Sequence, residues 1–323
     1  MMLTQAEVDD ATTIVRRHIP PTPQYAWPLL AEAVGTQAWV KHENHTPTGA
    51  FKVRGGVVYA ERLSRERPSV KGLVSATRGN HGQSLAFAGR AAGLPVTIVV
   101  PRGNSANQNA AMRGFGAEVV EYGHDFQAAR EHSVQLGAER GLETVPPYHP
   151  DLVRGVATYA RELFGAVEGL DTVYVPVGMG SGISGLVGVR DLLGLPAEIV
   201  GVVAAEAPAT ALSFAAGRVQ PTATAATFID GVATRVPDPV AIATIVAGAA
   251  RILTVGEDAA AEAMRVMFRT THNVPEPAGA LALAGLLAER EQVSGRRVAV
   301  IQTGGNIDAE ILVEVLAGRT PRP

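Results

Sequence analysis

Four short segments hold residue types and spacings that can do chemistry. The first reads Lys41-His42-Glu43-Asn44-His45-Thr46-Pro47-Thr48-Gly49-Ala50-Phe51-Lys52-Val53-Arg54-Gly55-Gly56. A strand ends, a Pro/Gly turn follows, and a helix begins near Phe51. A lysine at a helix start meets the positive end of the dipole, which disfavours the ammonium and suits an amine nucleophile. Read alone, Lys52 is equally a solvated surface lysine. The second is Ser75-Ala76-Thr77-Arg78-Gly79-Asn80-His81-Gly82-Gln83, a strand running into a helix. Such a junction presents backbone N–H groups to a carboxylate or phosphate, and Asn80 adds an amide. Plain N-capping by Thr77 or Asn80 is the competing use.

The third segment, Val175-Pro176-Val177-Gly178-Met179-Gly180-Ser181-Gly182-Ile183-Ser184-Gly185, is a strand, a glycine-rich turn and a helix. Glycines let the backbone approach a phosphate closely. Gly180, Gly182 and Gly185 also satisfy the dinucleotide pattern G-x-G-x-x-G. Glu206 ends the next strand, where a ribose-binding acid would stand. A nicotinamide-dependent oxidoreductase therefore stays open on spacing. The fourth is Val300-Ile301-Gln302-Thr303-Gly304-Gly305-Asn306, a late strand ending in a hydroxyl and two glycines. Thr303 could hydrogen-bond a ring nitrogen or simply cap a turn.

The elements that must position these segments follow from the apolar pattern. Short, continuously apolar runs such as Val96-Thr97-Ile98-Val99-Val100 mark strands buried on both faces, as in parallel sheets. Strands are expected at 37–41, 71–75, 95–100, 117–121, 172–177, 197–204 and 297–302. Helices are expected at 5–18, 52–66, 80–92, 105–115, 125–138, 152–167, 181–193, 256–271 and 277–290. Their alternation predicts an open α/β architecture with right-handed crossovers.

Composition removes other classes. The 323 residues are 46% hydrophobic and 18% charged, enough apolar material for a substantial core. A net charge of −3 gives no electrostatic footprint for nucleic acid. The apolar stretch 239–250 is too short to span a bilayer, so no membrane partner is expected. The acidic start Met-Met-Leu-Thr-Gln-Ala-Glu-Val-Asp-Asp does not read as a secretory signal, and a cytoplasmic location is expected. The absence of cysteine excludes disulfides, thiolate catalysis and thiolate metal sites. His42 and His45 bracket Glu43, but without a third ligand they read as loop polar groups.

Taken in order, Phe51-Lys52-Val53-Arg54-Gly55, Gly79-Asn80-His81-Gly82, the 178–182 loop and Thr303-Gly304-Gly305-Asn306 resemble the fold type II pyridoxal-phosphate family. The similarity is strongest to its threonine/serine dehydratase and serine racemase subgroup. Thr22-Pro23, Asp230-Gly231-Val232 and Glu276-Pro277-Ala278-Gly279-Ala280 support it, and it covers nearly the whole chain. The resemblance implies two open, twisted, mostly parallel-sheet α/β domains with helices on both faces, like the tryptophan synthase β chain. Residues 1–54 plus 146–323 would form a larger cofactor-binding domain. Residues 55–145 would form a smaller mobile domain that holds the substrate carboxylate and closes on it.

The resemblance also implies roles. Lys52 would carry pyridoxal 5'-phosphate as a Schiff base and act as the catalytic base. Phe51 would pack beside the ring, Asn80 would bond its hydroxyl, and Thr303 would meet its nitrogen. Gly178, Met179, Gly180, Ser181 and Gly182 would cradle the phosphate; Gly231 and Glu276 would lie near the ring. Thr77, Arg78, Gly79, Asn80 and His81 would bind the substrate carboxylate. The implied activity is dehydration and deamination of a 3-hydroxy amino acid such as L-threonine or L-serine to a 2-oxo acid and ammonia, by a homodimer. A bulky or acidic 3-hydroxy amino acid is the alternative.

Three departures from the family pattern matter. Arg78 stands where racemases place a serine base, and a guanidinium stays protonated. Weak or absent racemase activity is therefore expected, and Arg78 could attract a second substrate carboxylate. Met179 and Ser181 replace common glycines. Ala207-Pro208-Ala209 follows Glu206 where some relatives place a second carboxylate, so no metal is expected.

Overall fold

The computed structural model describes residues 2–322. Among the described residues ten strands form: β1 (Gln24–Ala26), β2 (Gln37–His42), β3 (Leu73–Ala76), β4 (Val96–Val100), β5 (Glu118–Glu121), β6 (Glu143–Thr144), β7 (Thr172–Pro176), β8 (Glu198–Ala204), β9 (Arg251–Val255) and β10 (Arg297–Gln302). The chain divides into two compact units. The first holds the chain up to Ala6, Pro21–His45 and everything from Ala157; the second holds Glu7–Pro20 and Thr46–Val156.

In the first unit six strands run in the order β1-β2-β10-β7-β8-β9. Only the β1–β2 pair is antiparallel. Val40, Tyr174, Val200, Val202, Val298 and Val300 enter one core with Met264, Met267, Leu281, Leu283 and Leu286. The alternate strand positions Val173, Val175, Ile199, Val203, Ala299 and Ile301 are buried too. Successive residues of a strand point to opposite faces, so these continuous apolar runs are two buried rows.

The second unit repeats the logic with four parallel strands in the order β5-β4-β3-β6. Leu73, Ile98 and Val100 join Val57, Val58, Leu85 and Met112 on one side. Val74 and Val99 join Ala129 and Leu136 on the other. Two mainly parallel sheets with helices are the mixed α/β class expected from the sequence.

All seven expected strands and nine expected helices are present, with ends shifted by a few residues. Short elements escaped the pattern: β1, β6, β9 and the helices Pro28–Val34, Ala209–Ala216, Pro239–Gly248 and Ala309–Leu316. The apolar 239–250 stretch is largely the helix Pro239–Gly248, started by Asp238, whose Oδ1 accepts from the N–H groups of Val240 and Ala241. Among the described residues no helix is long and apolar enough to cross a membrane.

Candidate functional site

In the second unit, Lys52 opens the helix Lys52–Glu66, directly after Phe51 at the cap position, which supplies no side-chain cap bond. Backbone packing fixes this helix. A Cβ on Gly55 would lie 2.7 Å from the Leu152 carbonyl oxygen, and one on Gly155 would collide with the Arg54 carbonyl. On the neighbouring helix Asn80–Ala92, Ser84 Oγ donates to the Lys52 carbonyl at 2.7 Å. The start of the lysine helix is thereby tied to the helix that begins at Asn80.

The N-cap of that second helix is Gly79, without a side-chain cap bond; Thr77 Oγ1 instead accepts from the Gly79 N–H at 3.3 Å. The Gly79 carbonyl accepts the first bonds of the helix, from the N–H groups of Gly82 and Gln83 at 2.8 and 3.2 Å, so Asn80 and His81 lie in the first turn, at the positive end of the dipole. Gly79 is pressed against Gln108, whose Oε1 would be 2.9 Å from an added Cβ. Gln108 Oε1 also accepts from Gln83 Nε2 at 2.6 Å.

His81 is buried, and its Nε2 has no hydrogen-bond partner. Burial, reinforced by the Lys52 charge, pushes the imidazole down to about 3. It is neutral under ordinary conditions. Thr77 is buried, Gly79 and Asn80 are half-buried, and Arg78 is exposed, with its carbonyl accepting from Asn104 Nδ2 at 3.0 Å. The structure thus brings Phe51, Lys52, Thr77, Gly79, Asn80 and His81 to adjoining helix starts, with Arg78 on the solvent side of the same loop.

In the first unit, β7 leads into Gly178, Met179 and Gly180, and the helix Ser181–Leu192 follows. Gly180 is its N-cap at φ 96°, a conformation that glycine adopts without strain. The first intrahelical bond is Ser184 N–H to the Gly180 carbonyl at 3.0 Å. Earlier N–H groups, those of Ser181, Gly182 and Ile183, face outward at the positive end of the dipole. A Cβ on Gly178 would lie 2.7 Å from the Gly231 carbonyl oxygen, so these two backbones touch. Thr234 Oγ1 donates to Met179 Sδ at 3.8 Å, and Tyr159 OH donates to the Gly182 carbonyl at 3.1 Å.

Glu276 caps the helix Pro277–Ala288 and its N–H donates to the Gly304 carbonyl at 3.1 Å. Its carboxylate lies against Gly304, where an added Cβ would be 2.6 Å from Oε1. Gly231 is nearby, since a Cβ there would lie 2.8 Å from Ala278 Cβ and 4.0 Å from Glu276 Oε1. Thr303 is buried at the end of β10. Gly178, Gly231, Glu276 and Gly304 thus share one neighbourhood. Sequence reading missed Ser84 and Tyr159. Their partners, 32 and 23 residues away, are set by helix packing, which no local pattern encodes.

Each unit, taken by itself, carries groups that pyridoxal phosphate requires. An aldehyde needs an amine, which Lys52 supplies. A phosphate needs backbone N–H groups at a helix start, which the turn before Ser181–Leu192 supplies, and the Gly178 backbone there runs so close to Gly231 that no side chain fits between them. A pyridine nitrogen needs a donor, and Thr303 carries one. The buried, unpartnered His81 nitrogen marks a polar position left open beside the amine.

Comparison with known proteins agrees. Residues 15–304 match the family described as pyridoxal-phosphate dependent enzyme, and the chain belongs to that family. Pyridoxal phosphate is its cofactor, which speaks against the nicotinamide-dependent oxidoreductase left open by the sequence spacing. An L-threo-3-hydroxyaspartate ammonia-lyase from Saccharomyces cerevisiae is 32% identical over 99% of this chain and 98% of its own. An L-threonine ammonia-lyase from Thermotoga maritima is 28% identical over 98% of this chain and 78% of its own. The solved structure of processed threonine deaminase isoform 2 from Solanum lycopersicum superposes with a TM-score of 0.90 at 27% identity, covering 98% of this chain and 95% of that one.

Proposed function

We propose that this chain removes the β-hydroxyl and the amino group of a 3-hydroxy amino acid, releasing a 2-oxo acid and ammonia. The observation that carries this reading is the similarity, over essentially the whole chain, to lyases named for such substrates. When bound, pyridoxal phosphate supplies the electron sink that makes the Cα proton removable and the β-hydroxyl able to leave.

The remaining work falls to the chain. Lys52 would hold the cofactor through its amine, and that amine, when free, would be the base placed to take the substrate Cα proton. Phe51 packs beside the ring and Asn80 bonds its hydroxyl. Gly178, Met179, Gly180, Ser181 and Gly182 hold the phosphate through N–H groups and the helix dipole. Gly231 and Glu276 lie near the ring. Thr303 would offer the ring nitrogen a neutral hydroxyl rather than a carboxylate, a partner that would leave that nitrogen largely unprotonated and favour prompt elimination. Thr77, Gly79, Asn80 and His81 orient the substrate carboxylate at the helix start. Neutral His81 adds no positive charge beside the Lys52 amine.

Arg78 favours an acidic substrate. Its exposed guanidinium is a poor base but a good partner for a second carboxylate. That supports L-threo-3-hydroxyaspartate as a substrate to test beside L-threonine and L-serine. The working form is proposed to be a cytoplasmic homodimer, on the family resemblance. Purified protein should release 2-oxo acid from at least one of these three amino acids. Failure with all three, alongside turnover in a β-replacement assay, would overturn the reading.

A further inference from the structure

At the end of the first unit's β2–β10 strand pair lies a chain of polar groups that no step above uses. His42, the last residue of β2, pairs in register with Gln302, the last residue of β10. Both are fully buried. Gln302 Nε2 donates to the Val274 carbonyl at 3.3 Å, which turns its Oε1 toward His42 Nδ1 at 3.0 Å. An amide oxygen only accepts, so Nδ1 carries the proton. On the other side of the ring, Trp27 Nε1 donates to His42 Nε2 at 3.0 Å. Indole N–H is donor-only, so Nε2 must present its lone pair. Each atom has one role, and a single neutral tautomer satisfies them all.

Ring contacts hold the imidazole in place as well. Trp27 stands edge-on with centroids 5.8 Å apart, Tyr25 is at 6.0 Å and His45 at 5.3 Å. Burial, then the neighbouring charges of His45 and Lys41, lowers His42 to about 4 despite its hydrogen bonds with Gln302 and Asn44. His45 in turn meets Asn273 Oδ1 at 2.8 Å, anchoring the loop that leads to Val274.

The chain ends where the ring-side groups begin. Gln302 precedes Thr303, and Val274 lies two residues before Glu276. The two loops are clamped again by Glu276 N–H on the Gly304 carbonyl, and Gly305 would place a Cβ 2.8 Å from the Val274 carbonyl oxygen. We propose that His42 is a positioning residue: through Gln302 it locks the 302–304 loop to the 274–276 loop, so that the Thr303 hydroxyl and the Glu276 carboxylate keep one alignment. This rests on the reading that these two groups face the cofactor ring.

A buried polar chain of this kind need not serve stability, because replacing both partners by apolar groups of similar shape is often nearly neutral. That separates the roles. H42F alone strands the Gln302 oxygen and should lower stability. H42F/Q302L removes the fully buried pair; the Trp27 N–H and Val274 carbonyl that it also frees belong to half-buried residues that water can reach, so the apo-protein Tm should return to within about 4 °C of the parent. Positioning predicts that kcat in the double variant nevertheless stays down about 10-fold, with KM changed less than about two-fold. It also predicts a shifted absorbance maximum for bound pyridoxal phosphate. Recovery of kcat and spectrum together with Tm would overturn the proposal.

A second measurement needs neither turnover nor a variant that folds. Long-range 1H–15N NMR of the apo chain, labelled at its eight histidines, should show His42 as the neutral Nδ1–H tautomer at pH 7. The Nε2–H tautomer or a charged ring would overturn the proposal. A chain that turns over no 3-hydroxy amino acid would defeat the functional reading alone, because tautomer and spectrum would still report on His42.

Discussion

Gly178→Ala puts the phosphate cradle to a quantitative test. The added Cβ would sit 2.7 Å from the Gly231 carbonyl oxygen and 3.5 Å from Val232 Cα. Both neighbours are backbone, so no side chain can swing aside. Ordinary contact begins near 3.4 Å, so the two loops must separate by about 0.7 Å. Overpacking of this kind costs about 1–3 kcal/mol of folding stability. The same displacement moves the N–H groups that lead into the helix Ser181–Leu192. Losing one charge-assisted bond to a phosphate costs about 1.5–3 kcal/mol, which weakens cofactor affinity about 10- to 100-fold. Titrating pyridoxal phosphate into apo protein, followed by absorbance, reads that loss, and urea unfolding of the apo protein reads the packing cost. Gly165→Ala is the control, since nothing lies within 4 Å of its added Cβ and alanine suits a helix interior better. Cofactor affinity unchanged in Gly178→Ala, with stability lowered as expected, would refute the cradle and leave Gly178 as a packing residue.

Acid should weaken the fold through two histidines. His42 and His81 are lowered to about 4 and about 3, whereas both titrate near 6.5 when unfolded. Between those values the unfolded chain binds more protons than the native one, so stability falls with falling pH below 6.5 and the contribution is gone below the native pKa. For His42 alone the loss is on the order of 3 kcal/mol, and urea unfolding midpoints of apo protein from pH 7 to pH 4 should fall less steeply in H42F/Q302L. Arg78→Ala should raise KM for L-threo-3-hydroxyaspartate by about 10-fold, the scale of one charge-assisted contact, and leave that for L-threonine within about two-fold; equal effects on both would remove the acidic-substrate reading. Tyr159→Phe removes the side-chain donor to the Gly182 carbonyl and should cost about 1 kcal/mol in apo stability by urea unfolding.

The strands were legible because burial on both faces leaves a mark along one segment. Val96-Thr97-Ile98-Val99-Val100 reads as a buried parallel strand without reference to any neighbour. The helix starts at Lys52, Asn80 and Ser181 were legible for the same local reason, a glycine-bearing turn between a strand and a periodic run. β1 and β6, at three and two residues, are too short to carry a pattern. What joins the segments was not legible. The Gly178–Gly231 approach, Ser84 on Lys52, and above all His42 on Gln302 are pairings between distant positions, 260 residues apart in the last case. Read along the chain, His42 is one more polar residue before a turn. Only the β2–β10 register makes it the partner of the residue before Thr303.

Borohydride reduction of the protein loaded with pyridoxal phosphate, followed by peptide mass mapping, tests the central claim most directly. The account predicts one modified peptide, with the cofactor fixed on Lys52 and no fixation in Lys52→Ala. Fixation on another lysine, such as Lys41 or Lys71, or none at all, would contradict it.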